Sequence, residues 1–130
     1  ITTTGGGSNI EEYIIHQIEM AVKCLGVGAK QVAYERIADE ERVEVRYENG
    51  KRAAFLYAPA MPFTAVVADK EGKSSYRQIN SKFFVNLIAD IIRFFETGET
   101  SFATEETLEV MRIRDAVITG KAKPGEKLRV

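Results

Sequence analysis

The segment from Arg42 to Gly50 constrains this chain more than any other. Val43, Val45 and Tyr47 alternate with Arg42, Glu44, Arg46 and Glu48. A period of two puts the apolar set on one face of a strand and the charged set on the other. The strand runs into Asn49-Gly50, two residues that tolerate positive φ and so favour a tight reversal. A return strand over Lys51–Ala58 then pairs antiparallel with the first, and Pro59 and Pro62 end it.

Further strands are expected on both sides of this hairpin. Gln31–Ile37 precedes it; Phe63–Ala68 follows, and Lys70-Glu71-Gly72-Lys73 turns the chain into Ser74–Ile79. Lys127–Val130 suits a short edge strand. The two strands 53–58 and 63–68 are apolar or small on both faces. An antiparallel sheet usually keeps one face wet, so a second cover, such as a second copy of the chain, is expected on the face that helices leave open.

Three helices complete the pattern. Ser8 or Asn9 can cap the first, with Glu11 and Glu12 in its first turn. Ile14, Ile18, Ala21, Val22 and Leu25 form its apolar stripe, and Gly26 and Gly28 stop it. Phe84, Leu87, Ile88, Ile91 and Phe95 line the second, which Gly98 ends. Thr104 is placed to cap the third, which presents Leu108, Met111, Ile113, Ala116 and Val117 and closes at Gly120. The expected fold class is α+β: an open, mostly antiparallel sheet of about five or six strands with three helices packed on one face. Residues 1–8, rich in Gly and Thr, read as a flexible leading segment, and residues 9–130 as a single domain. Ile1 in place of Met suggests that something precedes the chain in a longer product.

The charges exclude some functions. The 18 basic and 19 acidic residues are interspersed and sum to −1, which offers no field for nucleic acid or an anionic membrane. No apolar run approaches the ~20 residues that span a bilayer. The one cysteine, Cys24, lies in a helical pattern and reads as a small buried hydrophobe; a single thiol leans towards the cytoplasm.

The single histidine is the most informative polar residue. His16 lies off the apolar stripe of its helix, and Glu12, four residues earlier, shares its face. A carboxylate beside an imidazole orients the ring and favours its charged form, as a general acid/base requires. The same pair also occurs on solvated helix faces, and the residues alone leave both readings open. Glu12, His16 and Glu19 share a face but lack the further His or Cys of a closed metal site, so no metal is expected. Gly5-Gly6-Gly7 precedes a helix but lacks the preceding strand and the spacing of a dinucleotide loop; it reads as a linker. The pairs Phe83-Phe84 and Phe94-Phe95 read as core, not as a base-stacking platform.

These residues together resemble a known family. Gly6-Gly7, then Glu12-Tyr-Ile-Ile-His16-Gln-Ile-Glu19, then Leu25-Gly26 resembles the start of the C-terminal domain in the glucose–fructose oxidoreductase/inositol dehydrogenase (Gfo/Idh/MocA) family. Val66–Lys73 resembles the family's strand ending in a Gly-containing hairpin. Phe94-Phe95-Glu-Thr-Gly98-Glu, then Glu105-Glu106-Thr-Leu108-Glu and Ala116, resemble its two closing helices, so the similarity covers roughly residues 6–130.

The resemblance implies an NAD(P)-dependent oxidoreductase acting on a sugar, polyol or related hydroxy compound. In that family a nucleotide-binding domain comes first, with a glycine-rich loop and usually a Glu-Lys-Pro motif. The second domain supplies the histidine, part of the substrate pocket and much of the oligomer interface. By resemblance His16 exchanges a proton with the substrate hydroxyl, and Glu12 stands where Asp is commoner. NAD or NADP is expected on the nucleotide-binding domain of a longer protein. No cofactor-binding residue and no activity is expected of this chain alone. Two alternatives remain open on the sequence: a non-catalytic ligand-binding or dimerisation module on the same scaffold, and an unrelated standalone α+β binding protein.

Overall fold

The computed structural model describes Ile1–Val130 throughout. Its elements, in chain order, are β1 (Thr2–Gly5), α1 (Ile10–Leu25), β2 (Ala29–Ile37), β3 (Glu40–Tyr47), β4 (Arg52–Tyr57), β5 (Thr64–Ala68), β6 (Ser74–Gln78), α2 (Phe83–Thr97), α3 (Thr104–Lys121) and β7 (Lys127–Arg129). The strands form one open sheet in the order β6-β5-β1-β4-β3-β2-β7. All pairings are antiparallel except β1 with β4. The α+β class stands, with seven strands where five or six were expected.

The additional strand is β1, so residues 1–8 are not a flexible lead. Thr2–Gly5 lies inside the sheet, with Thr3 opposite Phe55 on β4 and opposite Ala65 on β5. Three consecutive β-branched threonines favour extended backbone. Thr3 is fully buried, and its hydroxyl donates to Gln17 Oε1 at 2.7 Å. The glycines that follow are required by close approach. A Cβ on Gly6 would lie 2.4 Å from the carbonyl oxygen of Ala58 and 2.6 Å from that of Pro59. One on Gly7, where φ is +155°, would meet the Tyr13 ring at 2.2 Å.

The core lies between the sheet and helices α1 and α3. Ile10, Ile14, Ile18, Ala21 and Val22 of α1 and Val110, Ile113, Ala116 and Val117 of α3 pack onto Val32, Tyr34, Val43, Val45, Tyr47, Ala53, Phe55 and Tyr57. Asn9 caps α1 by accepting the amide of Glu12 at 2.8 Å. Ala103 occupies the N-cap of α3 without a side-chain bond, so Thr104 is its first helical residue and not its cap. Gly120 lies within that helix and not at its close; a Cβ there would lie 3.2 Å from that of Tyr34. Glu109, nearly buried, accepts the amides of Gly28 and Ala29 at 2.8 and 2.6 Å and ties α3 to the start of β2.

Only two helices pack on the sheet. No residue of α2 is buried; Phe84 and Phe95 are each 80% exposed. The expectation that its phenylalanines form core is corrected, as is that for Cys24, which is exposed. Leu108 and Met111 are also exposed, because the buried stripe of α3 runs through Val110, Ile113, Ala116 and Val117. No helix is long and apolar enough to cross a membrane.

The other face of the sheet is mixed. Register places Tyr76, Val66, Thr2, Ala54, Glu44, Ala33 and Lys127 in one row across the strands. Arg42, which pairs with Glu44, stands opposite Leu56 in the next row. The small and apolar residues therefore occupy β1, β4 and β5, and the charges β3 and the β7 edge.

Candidate functional site

The site is built where β1 passes into α1. The chain leaves the sheet at Gly5, crosses under the 58–63 loop and enters the helix at Asn9. Gln17, fully buried, fastens this passage. It accepts the Thr3 hydroxyl, and its amide donates to the carbonyls of Leu56 and Gly5, at 3.1 and 3.5 Å. Tyr57 Oη donates to the carbonyl of Gly7 at 2.8 Å, and the amide of Gly7 donates to that of Pro59 at 3.1 Å. Buried polar groups are thus paired throughout the turn, which holds it in one conformation.

His16 stands on the open side of α1, half exposed. Its ring meets Tyr13 edge to face, with centroids 6.0 Å apart, and meets Phe63 in the same way at 5.7 Å with an interplanar angle of 83°. Its Nδ1 lies 3.4 Å from a carboxylate oxygen of Glu19. Glu12 is not its partner. That carboxylate turns towards the helix start and accepts the Ser8 hydroxyl at 3.0 Å. The expected Glu12–His16 pair is therefore replaced by Glu19–His16, and the two aromatic neighbours were not anticipated. Tyr13 could have been found, since it lies three residues before His16 on the same face. Phe63 arrives from another element and leaves no local signal. Glu12, His16 and Glu19 do not converge on one point, and no three metal-binding side chains come together anywhere in the chain.

Below the helix start lies a second polar cluster. Tyr34 donates to the carboxylate of Glu41, which is nearly buried; Lys121 bonds Glu11 and lies 3.9 Å from Glu41. Arg114 donates to the carbonyl of Glu11 at 2.8 Å. Burial, with Glu41 adjacent, raises the Tyr34 phenol above its ordinary range, and burial with the Glu41 and Glu11 charges also raises that of Tyr57. The Lys121 bond holds the Glu11 carboxyl below its usual value. Both phenols therefore stay protonated and serve as donors at neutral pH.

The chain has two sizeable clefts, of which only the first touches the site. One of about 510 Å³ runs along the outer surface of α1 and α3, lined by Ile15, Glu19, Val22 and Met111 with Asp90 of α2. The other, about 630 Å³, lies on the opposite sheet face beside Arg42, Arg46 and Arg52. His16 lines neither, but Glu19 joins it to the first. The Gly5-Gly6-Gly7 turn does not fit a nucleotide. The space over each of these glycines is filled by Phe63, by the 58–59 backbone or by Tyr13, which leaves no cradle for a pyrophosphate.

This fold is found over about half the length of several solved proteins that hold a nicotinamide cofactor. GenD2 of gentamicin A biosynthesis, solved with NAD, superposes with a TM-score of 0.70 at 10% identity, over 99% of this chain and 54% of that one. The scyllo-inositol dehydrogenase of Lactobacillus casei, solved with NAD(H) and scyllo-inositol, gives 0.68 at 8% identity, over 98% and 55%. The WlbA dehydrogenase of Bordetella pertussis, solved with NADH and UDP-GlcNAcA, gives 0.67 at 9%, over 99% and 54%. At these identities the likeness is one of fold, and it is the fold that the resemblance to the Gfo/Idh/MocA family implies. The chain spans about half the length of each of these proteins. No family model and no curated protein matches its sequence.

Proposed function

We propose that this chain is the substrate-binding half of an NAD(P)-dependent oxidoreductase acting on a sugar, polyol or related hydroxy compound, with His16 exchanging a proton with the substrate hydroxyl. One observation carries the reading. The only histidine projects from the first helix of a dehydrogenase half-fold, steadied by Phe63, Tyr13 and Glu19. A positioned imidazole with a carboxylate at its second nitrogen can take a proton and hold the resulting charge. Glu19 fills that role beside His16, and Glu12 secures the helix start through Ser8. The nicotinamide would be held by the other half of the protein and would supply or accept the hydride. This chain alone would then neither bind NAD(P) nor turn over. A second copy packs on the open sheet face over Ala54, Leu56 and Val66, and the exposed free thiol of Cys24 suits the reducing cytoplasm.

The test is polyol- or sugar-dependent reduction of NAD(P) by the longer protein. Turnover with at least one such substrate is expected. Tight nucleotide binding without turnover on any of them would overturn the reading. It would favour a non-catalytic ligand-binding or dimerisation module on the same scaffold.

A further inference from the structure

The open face of the sheet gathers charges that the sequence intersperses. Arg46 lies between Val45 and Tyr47, both buried, and Arg52 precedes the buried Ala53, so both arginines stand on the face away from the helices. Register sets Arg52 directly opposite Arg46, Arg46 opposite Gln31, and Gln31 opposite Arg129. Three arginines thus share one row. At the spacing of adjacent strands, Arg52 and Arg46 are about 5 Å apart and Arg129 lies about 10 Å beyond Arg46. The row runs from β4 across β3 and β2 to β7, away from β1 and the start of the chain.

Like charges directly opposite on a strand pair are destabilising, and nothing in the chain relieves these. None of Arg46, Arg52 and Arg129 takes part in an ion pair. Arg46 and Arg52 line the cleft of about 630 Å³ together with Lys70. The two carboxylates of that cleft are already engaged: Glu44 pairs with Arg42, and Asp69 accepts the amides of Glu71 and Lys73 within its own turn. Arg46 also borders a hollow of about 20 Å³ with Gln31 and Lys127, and Lys127 has no carboxylate partner either.

We propose that the row Arg52–Arg46–Gln31–Arg129 is a binding site for a phosphoryl group carried by a small molecule. A carboxylate offers one charge and two oxygens in a plane, which suits a single guanidinium fork. A phosphoryl group offers three oxygens and nearly two negative charges at neutral pH, which suits arginines that arrive from separate strands. A long polyanion suits the face less well, because Glu44 flanks the row and the whole chain sums to −1. The bound group would offset the repulsion between Arg46 and Arg52. The site borders the patch of Ala54, Leu56 and Val66 and is separate from His16. It does not depend on the reading of this chain as half of a dehydrogenase.

The test titrates inorganic phosphate, and separately glycerol 3-phosphate, into the longer protein by calorimetry at fixed ionic strength, for wild type, Arg46→Lys and Arg46→Gln. One site per chain with a Kd on the order of 1 mM or tighter is expected for at least one of the two probes. Arg46→Gln should weaken it about tenfold or more, and Arg46→Lys, which keeps the charge but loses the fork, by less. Tighter binding of glycerol 3-phosphate would identify an ester as the ligand, and equal or tighter binding of inorganic phosphate the free ion; either supports the proposal. No binding up to about 10 mM, or binding unchanged in Arg46→Gln, would overturn it. Binding of a single-stranded oligonucleotide but of neither probe would assign the row to a nucleic acid and overturn it too. Two further readouts use phosphate-free buffer. Arg46→Gln should melt no lower than wild type, since it relieves an opposed pair, and should sediment identically. A lower Tm would show that the row is held by contacts of its own, and loss of an oligomer that it serves a second copy; each overturns the proposal.

Discussion

Phe63 meets His16 edge to face at a centroid distance of 5.7 Å. The contact joins two parts of the chain that sequence separates by 47 positions, and its geometry depends on Gly5, whose Cβ would lie 2.5 Å from the same phenyl ring. Loop 58–63, strand β1 and helix α1 thus set the imidazole together. Such an aromatic pair contributes about 0.5–1.5 kcal/mol beyond the area it buries. Replacing Phe63 with Ala is expected to lower kcat/KM of the longer protein on the order of tenfold, through misplacement of His16, while the far-UV spectrum is kept. Unchanged kinetics with a lowered Tm would reduce Phe63 to a packing residue.

Gly6 is the position where the fold tolerates least. Backbone carbonyl oxygens would stand 2.4 and 2.6 Å from an added Cβ, and backbone cannot yield as a side chain can. Gly6→Ala is expected to cost about 3 kcal/mol in urea unfolding, at the upper end for overpacking. A cost within about 0.5 kcal/mol, the range of an ordinary surface substitution, would mean that residues 5–7 are the loose linker that their composition suggests.

Gln17 tests the same passage from the helix side. Its removal as Gln17→Leu orphans the buried hydroxyl of Thr3 and strips a donor from the carbonyl of Leu56. Each orphaned group costs about 1–3 kcal/mol. The double variant Thr3→Val/Gln17→Leu should recover part of that loss, since it removes both ends of one bond. Additive losses in the double variant would contradict the pairing.

Acid should act through Glu11. Its folded pKa is lowered, first by the Lys121 bond. The stabilisation is therefore complete above the ordinary value of 4.5 and is lost as pH falls through the lower folded value. Melting curves of wild type and Glu11→Gln should be separated at neutral pH and converge below pH 4.5. A gap that persists unchanged at the lowest pH would remove this bond from the account.

Sequence periodicity revealed what depends on local pattern. The alternation from Arg42 to Glu48 with Asn49-Gly50 placed β3 and β4 to within a residue or two, and the stripe through Ile14, Ile18, Ala21 and Val22 placed α1. Strand β1 was hidden because its four residues are too short for a period, and the glycines after it carry the signature of a linker while serving close packing. The packing of α2 was hidden for a different reason. An apolar stripe states that a helix must be covered, but not by what, and here the remainder of the chain does not cover it. The site was half legible. The residue types around His16 pointed to an imidazole–carboxylate pair with Glu12 as the partner, whereas the structure supplies Glu19. The Ser8 hydroxyl at the helix start decides between them by engaging Glu12, and Phe63 enters only through the tertiary fold.

The proton-exchange role of His16 is the central claim, and it is tested most directly by His16→Ala in the longer protein, with nucleotide affinity and polyol or sugar oxidation measured on the same preparation. The account predicts that kcat falls by about 10²–10⁴, the contribution of a positioned general acid/base, while the Kd for NAD(P) stays within a factor of about 2, a difference of less than 0.5 kcal/mol. A variant that turns over as fast as wild type would contradict the account and leave His16 as a surface residue held by its neighbours.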